Sequence, residues 1–376
     1  MSLRVARAEA IGLRARPAVL PRMSFASMEA RQCLLVRVES AEGAVGWGEC
    51  WVNHPSWGIE ERRVTLARAF LSRLVGSDVE EPYKALGALA RPLFGPCRQA
   101  GVLGAFWAAI SGVEMALWDL LGRTRGEPVW RLLSGMKAPS RPSFPAYASG
   151  IDPLRASEVV AAKKAEGFRA FKVRVGIEGD DARVTLEAAR SAAGPEAFLM
   201  ADFNGRMSVE DAIAFAGALR DLNLAWIEEP VWGDDVEGLA KVRAASPIPI
   251  AAGENLFGEE NQRRAIERGS VSVLQPDVSK TGGLTSARRV CLAAVSAGIE
   301  YSPHYYSNAV GLAATLHMLA SLPKPAWLEL DANDNPLRTS LLARPFRFED
   351  GGLFVPDGPG LGVEPDPAAI EAYRVA

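Results

Sequence analysis

The chain has 376 residues, 48% of them hydrophobic, and 42 Lys and Arg against 45 Asp and Glu give a formal net charge of −3. That is enough length for two domains with a sizeable core, and the composition is neither disordered nor collagen-like. The absence of a basic excess argues against nucleic-acid binding, and no run approaches 18 consecutive apolar residues, so neither nucleic acid nor a membrane is an expected partner.

Residues 1 to about 60 read as extended segments, with half-alternating Cys33–Glu39 and a hairpin return at Glu42-Gly43 before Val45-Gly46-Trp47-Gly48. Helices follow. Val64, Ala67, Phe70, Leu71 and Leu74 recur at helical spacing, and a second helix near Gly104–Leu121 is apolar almost all round, which predicts burial. Strands followed by helices suggest an α+β module over residues 1–125. After Pro142 the texture changes to short apolar runs separated by amphipathic stretches: Phe144–Ala148, Ala170–Val175, Phe198–Phe203, Leu224–Glu228, Ile248–Glu254, Val271–Pro276, Ile299–Pro303 and Trp327–Leu330. Such runs mark a parallel sheet covered on both faces, and eight of them within 126–330 point to a closed (β/α)₈-type barrel. An open doubly wound sheet would show a GxGxxG turn after its first strand, and none is present. Residues 331–376, rich in Pro and Gly, are expected to pack back onto the N-terminal module. Cys33, Cys50, Cys97 and Cys291 form no CxxC pair, so buried free thiols are predicted. With no signal-peptide pattern at the N-terminus, the expected location is the cytoplasm.

Every apolar run from the second onward ends in ionisable residues: Lys172 and Arg174, Asp202, Glu228, Glu254, Asp277, His304 and Glu329, spaced 23 to 30 residues apart. That interval is one strand–helix unit, and the C-terminal strand ends of a barrel ring a single cavity. Asp202, Glu228 and Glu254 cannot all be ionised in a sunken pocket without countercharge. An all-oxygen set of three carboxylates suits Mg²⁺, with Mn²⁺ as a possible substitute. Asp277 ends the strand before His304 and is placed to orient its imidazole as a general acid–base dyad. Lys172 and Arg174 share one face of their strand, suited to gripping a substrate carboxylate. His54 lies in a loop of the N-terminal module that reaches toward the cavity, whereas His317 falls mid-helix and reads as a packing residue.

These motifs resemble the enolase superfamily. Phe171-Lys172-Val173-Arg174, Ala201-Asp202-Phe203-Asn204, Trp226-Ile227-Glu228-Glu229-Pro230, Gly253-Glu254-Asn255, Gln275-Pro276-Asp277 through Lys280-Thr281-Gly282-Gly283, Ser302-Pro303-His304 and Trp327-Leu328-Glu329 look most like its mandelate racemase subgroup, the mandelate racemase/muconate lactonizing enzyme family. Gly112-Val113-Glu114 and Ala116-Leu117-Trp118-Asp119 extend the likeness into the N-terminal module. The resemblance implies a modified (β/α)₇β barrel under an α+β capping domain, Mg²⁺ on Asp202, Glu228 and Glu254, and abstraction of a proton α to a substrate carboxylate to give a metal-stabilised enediolate. It alone implies a homo-oligomer. One position departs from the pattern. The second member of the Lys-x-Lys pair, a base in the racemases, is Arg174 here, and a guanidinium is a poor proton acceptor.

The expected partner is therefore a small carboxylic acid. Dehydration of a polyhydroxy acid to a 2-keto-3-deoxy acid through His304 is the leading reading. The alternative is a racemase, epimerase or cycloisomerase, and a non-enzymatic binding barrel is a third. Lys172 is expected on the substrate carboxylate and Asn204 on the substrate near the metal. Glu329, if protonated by crowded anions, would donate to the enediolate. Arg16, Arg22, Glu29, Arg31, Asn53 and His54, beside Met23, Phe25, Met28, Trp51 and Trp57, are the capping-loop residues expected to read the distal end of the substrate.

Overall fold

The computed structural model describes residues 3–21, 28–177, 179–324 and 326–375. Strands β1 (Leu3–Ala15), β2 (Arg31–Ser40), β3 (Val45–Cys50) and β4 (Asp78–Val79) form an antiparallel sheet in the order β3-β2-β1-β4. The helix Leu103–Arg125 lies against β3. A Cβ at Gly46 would sit 2.2 Å from the Ala116 carbonyl oxygen, and one at Gly48 would sit 2.0 Å from that of Gly112. Only glycine permits so close a backbone approach. By length and composition this helix is apolar enough to cross a membrane, but 83% of its most apolar window is buried inside the fold. It is a core helix.

The second part is a barrel. Strands β5 (Ser143–Ile151), β6 (Ala170–Arg174), β7 (Phe198–Asp202), β8 (Leu224–Glu228), β9 (Ile250–Ala252), β10 (Val273–Leu274), β11 (Glu300–Tyr301) and β12 (Leu328–Asp331) run parallel in the order β12-β5-β6-β7-β8-β9-β10-β11. Ser302 Oγ donates to the Trp327 carbonyl at 3.3 Å where β11 meets β12. Seven of these strands lead into helices of ten residues or more, and β12 leads into the four-residue helix Pro336–Thr339, giving the (β/α)₇β form. Side chains alternate along each strand, so inward positions stack in layers. Tyr147, Ala170, Met200, Trp226, Ala251 and Val273 pack together as a floor. Two residues further along β6, β7 and β8 stand Lys172, Asp202 and Glu228, in the layer above.

Two buried carboxylates of the N-terminal part cap barrel helices. Glu114 accepts from the backbone N–H groups of Leu284 at 2.6 Å and Thr285 at 3.1 Å, at the start of the helix Leu284–Ser296. Glu49 accepts from those of Asn308 at 2.8 Å and Gly311 at 2.9 Å, at the start of the helix Ala309–Ala320. Each carboxylate meets unpaired N–H groups and the positive end of a helix dipole, while burial pushes both carboxyls up to about 7.

The C-terminal segment divides its contacts. β13 (Phe348–Glu349) and β14 (Gly352–Phe354) form a hairpin whose second strand pairs with β5, and Val375 N–H reaches the Gly12 carbonyl at 2.9 Å. All four cysteines are free, and Cys33, Cys50 and Cys291 are buried. Cys97 departs from expectation: it is partly exposed, because its helix Pro82–Gln99 buries only Pro82 and Leu86.

His317 is fully buried, and its Nδ1 accepts from the Trp130 N–H at 3.2 Å. That bond fixes the neutral imidazole with its proton on Nε2. Burial, opposed only by the Leu361 backbone, lowers its pKa from 6.5 to about 4. A base depressed on folding takes its proton first in the unfolded chain, so its stabilising contribution is intact above about 6.5 and is lost as pH falls toward 4. The expected loss is at most about 3 kcal/mol. Denaturant unfolding of wild type and His317→Gln from pH 7 to 4 should show the wild type losing stability faster; parallel profiles would contradict the assignment.

Candidate active site

At the mouth of the barrel, a cavity of about 230 Å³ is lined from both parts of the chain. Lys172 is buried, with its ammonium between two carboxylates: it pairs with Glu228 Oε1 and lies 2.8 Å from Glu329 Oε1. Burial alone would lower the Lys172 pKa, but Glu228 and Glu329 hold it well above its ordinary value. Glu228 Oε2 also accepts from Gln275 Nε2 at 2.5 Å. Arg174 stacks on Tyr306, its guanidinium carbon 4.9 Å from the ring centroid. Despite burial, Tyr306, Asp202 and Asp331 raise it further, so it stays protonated.

On the opposite wall, His304 Nδ1 lies 2.6 Å from Asp277 Oδ2, and the Ser279 N–H at 2.7 Å fixes the other Asp277 oxygen. The imidazole is thereby oriented with Nε2 toward the cavity, 2.9 Å from Glu254 Oε2. Burial opposes charge on this ring, yet Glu254, Glu329 and Asp277 together push it up to about 10. With Glu254 facing Nε2, the protonated form of His304 is favoured, and the contact with Asp277 has the orientation expected of a general acid–base dyad.

Asp202 and Asn204 stand at the end of β7, where the Asn204 N–H donates to Asp202 Oδ1 at 3.0 Å. Asn204 takes left-handed φ of 47° and Glu229, beside Glu228, takes φ of 36°, so backbone strain collects at this rim. Glu329 corrects one expectation. It accepts from Lys172, from the Ser149 hydroxyl and from the Tyr305 N–H at 3.0 Å. Although burial raises it, Lys172 and His304 hold its pKa below the ordinary value. It is an ionised acceptor, not a protonated donor, because the nearest charge is an ammonium.

His54, Met28 and Trp51 do line the cavity. Arg31 and Asn53 do not: Arg31 is consumed by a buried ion pair with Asp331, and Asn53 donates to the Tyr306 carbonyl. Trp57 is exposed. Arg22, Met23 and Phe25 lie outside the described residues. Sequence reading missed Arg62, Ser149, Lys280 and Tyr306, all on the cavity wall. For Lys280 and Tyr306 a signal existed, since each lies within three residues of the dyad.

Among the described residues no three His, Cys, Asp or Glu side chains converge closely enough to hold a metal ion as they stand. Glu228 is turned to Lys172, and Glu254 to His304 and Lys280. The donor set nevertheless fits a hard divalent cation: three carboxylates from consecutive strand ends, each near enough to influence its neighbours' charge. Their oxygens already gather the positive charge of Lys172 and His304.

Comparison with known proteins agrees with this geometry. Residues 9–134 match the family model for the mandelate racemase/muconate lactonizing enzyme N-terminal domain, and residues 155–369 match that described as enolase C-terminal domain-like. The chain is 33% identical over 361 residues to D-galactarolactone cycloisomerase of Agrobacterium fabrum, covering 92% of each chain. It is 27% identical to arabinonate dehydratase of Saccharolobus solfataricus, over 91% of each. Among solved structures it resembles a racemase from Streptomyces coelicolor A3(2) with bound magnesium, with a TM-score of 0.86, 30% identity, and coverage of 99% of this chain and 100% of that one. These relatives are lyases and isomerases, and this chain belongs with them to the mandelate racemase/muconate lactonizing enzyme family of the enolase superfamily.

Proposed function

We propose that this enzyme removes the proton α to the carboxylate of a sugar acid and expels the oxygen on the β-carbon. The observation that carries this reading is one buried cavity with the Asp277–His304 dyad on one wall and Lys172 with Arg174 on the other. Lys172 supplies a fixed positive charge for the substrate carboxylate and for the charge that grows on it as the α-carbon loses its proton. Arg174 balances the same charge without accepting a proton. A divalent cation held by Asp202, Glu228 and Glu254, Mg²⁺ by preference, would supply Lewis-acid stabilisation of that carboxylate.

His304 presents a ring nitrogen, Nε2, to the cavity, and Glu254 is its largest upward influence. Once the charge of Glu254 is engaged elsewhere, the neutral ring takes the α-proton at Nε2. As imidazolium, held by Asp277, it returns a proton to the leaving oxygen. The C–H and C–O bonds break, water departs, and the enol tautomerises to a 2-keto-3-deoxy acid. If the β-oxygen is instead part of a ring, the same elimination opens the ring and loses no atoms, which is an isomerisation. Dehydratase and cycloisomerase chemistry are thus two outcomes of one proton transfer, consistent with the relatives of both kinds.

Dialysis against EDTA should abolish turnover, and millimolar Mg²⁺ or Mn²⁺ should restore it. Full activity in a preparation shown metal-free by elemental analysis would overturn the metal assignment. In D₂O, His304→Asn should lose both α-proton exchange and elimination by about 10²–10⁴-fold, while Arg174→Lys retains part of both; exchange at the wild-type rate in His304→Asn would move the base to the other wall. Glu329→Gln removes a charge that holds Lys172 and should lower kcat on the order of 10²–10³-fold. Wild-type kcat in that variant would exclude this role.

A further inference from the structure

Tyr306 is buried, 4% exposed, and lines the cavity two residues after His304. Its ring lies against Arg174, whose guanidinium carbon is 4.9 Å from the centroid, and against Arg31, at 5.1 Å. A desolvated guanidinium is attracted to an aromatic face, so one ring holds two cations that repel each other. The oxygen is as closely set as the ring. It accepts from Asn333 Nδ2 at 3.2 Å, and that amide also donates to the Gly150 carbonyl and to Asp331 Oδ1, each at 2.9 Å. Gly150, at φ of 71°, leaves the hydroxyl its room, because a Cβ there would lie 2.7 Å from it. Burial opposes charge on both guanidiniums; Asp331 and then Tyr306 raise Arg31, and Tyr306 leads the groups that raise Arg174.

The groups that meet Tyr306 are therefore donors. An amide NH₂ and two guanidiniums offer its hydroxyl no acceptor, while the hydroxyl has one proton of its own to give. Among the described residues nothing accepts that proton. A buried donor without a partner is costly, and the space beside this one is the cavity. A donor is also what that wall lacks. Glu329, expected from sequence to donate to the enediolate, is an ionised acceptor held by Lys172, Ser149 and Tyr305. We infer that Tyr306 is a further catalytic residue, whose hydroxyl donates a hydrogen bond to the substrate carboxylate and holds the same oxygen as enediolate charge grows on it. This rests on the proposed function, because Lys172 and Arg174 are taken to hold that carboxylate. The O–H bond stays intact throughout, so Tyr306 adds a preorganised dipole and no second base. Asn333 fixes the oxygen and the two guanidiniums fix the ring, so the donor is aimed before substrate arrives.

The test is Tyr306→Phe, which keeps the ring against both guanidiniums and removes only the donor. Galactonate, galactarate and arabinonate are incubated with wild type and variant in D₂O and followed by NMR for α-deuteration and for elimination. On the acid that wild type turns over, Tyr306→Phe should lose about 10²–10³-fold in kcat with KM changed by no more than about threefold. Exchange and elimination should fall by the same factor, because both pass through the enediolate. Asn333→Ala keeps the phenol but removes the amide that orients it; it should lower kcat by a smaller factor, again with KM little changed. That second variant decides the case in which Tyr306→Phe fails to fold, where wild-type kcat in Asn333→Ala overturns the inference. Wild-type kcat in Tyr306→Phe, or a rise in KM alone, overturns it and leaves the proposed function standing. Elimination lost with exchange at the wild-type rate also overturns it, by moving the hydroxyl to the departing β-oxygen. Absence of α-exchange by wild type on all three acids instead defeats the proposed function, and this inference with it.

Discussion

Lys172 joins β6 to Glu228 of β8 and Glu329 of β12, so a single buried ammonium ties together strands on three sides of the barrel mouth. Removing a partner from a buried pair of this kind costs several kcal/mol, because the remaining charge cannot reach water. The rest of the site is arranged around that constraint. Burial makes Glu228 reluctant to ionise and pushes its carboxyl up to about 7, and Lys172 is the strongest opposing influence. Glu329 is settled as an anion by the same ammonium. His304, on the other wall, is drawn upward by Glu254 and by this same Glu329. Protonation across the cavity is therefore one coupled distribution of charge rather than a set of independent pKa values.

The N-terminal part takes part in that distribution by holding the dyad in place. The loop after β10 carries Asp277 and leads to the helix capped by Glu114; the loop after β11 carries His304 and leads to the helix capped by Glu49. Loops positioned by a rigid scaffold are where barrel enzymes keep their chemistry. Here the scaffold includes two carboxylates from outside the barrel. The close passage of the helix Leu103–Arg125 over Gly46 and Gly48 in turn fixes Glu114 relative to β3, which carries Glu49. Two hydrogen-bonded helix starts thus tie that packing to the loops that carry the dyad.

What sequence made legible follows from periodicity. An ionisable residue at the end of each apolar run, one strand–helix unit apart, is a local signal, and it located Lys172, Asp202, Glu228, Glu254, Asp277, His304 and Glu329 in one ring. Protonation state was not legible, because Glu329 depends on an ammonium 157 residues away in sequence. Nor was Arg62, which reaches the cavity only because a capping helix meets the barrel mouth in three dimensions. Arg31 looked like a recognition residue by its place in a loop segment. Its burial against Asp331 is a tertiary fact that composition does not encode. Cys97 was misplaced for a simpler reason: its helix Pro82–Gln99 presents most of its surface to solvent.

The Arg174 substitution bears on what kind of reaction such a site can run. Two-sided proton transfer, as in racemisation, needs a group on each wall that both gives and takes a proton within the working pH range. A guanidinium raised still further by Tyr306, Asp202 and Asp331 does neither. The wall opposite His304 is thus purely electrostatic, and an intermediate formed there has one partner from which to recover a proton. Elimination suits that asymmetry, because the proton that leaves the α-carbon and the proton that the β-oxygen needs can pass through the same imidazole on the same face. If one imidazole serves both steps of the proposed elimination, the departing groups leave syn, and the stereochemistry at the β-carbon would follow from having placed an arginine, rather than a lysine, at the end of β6.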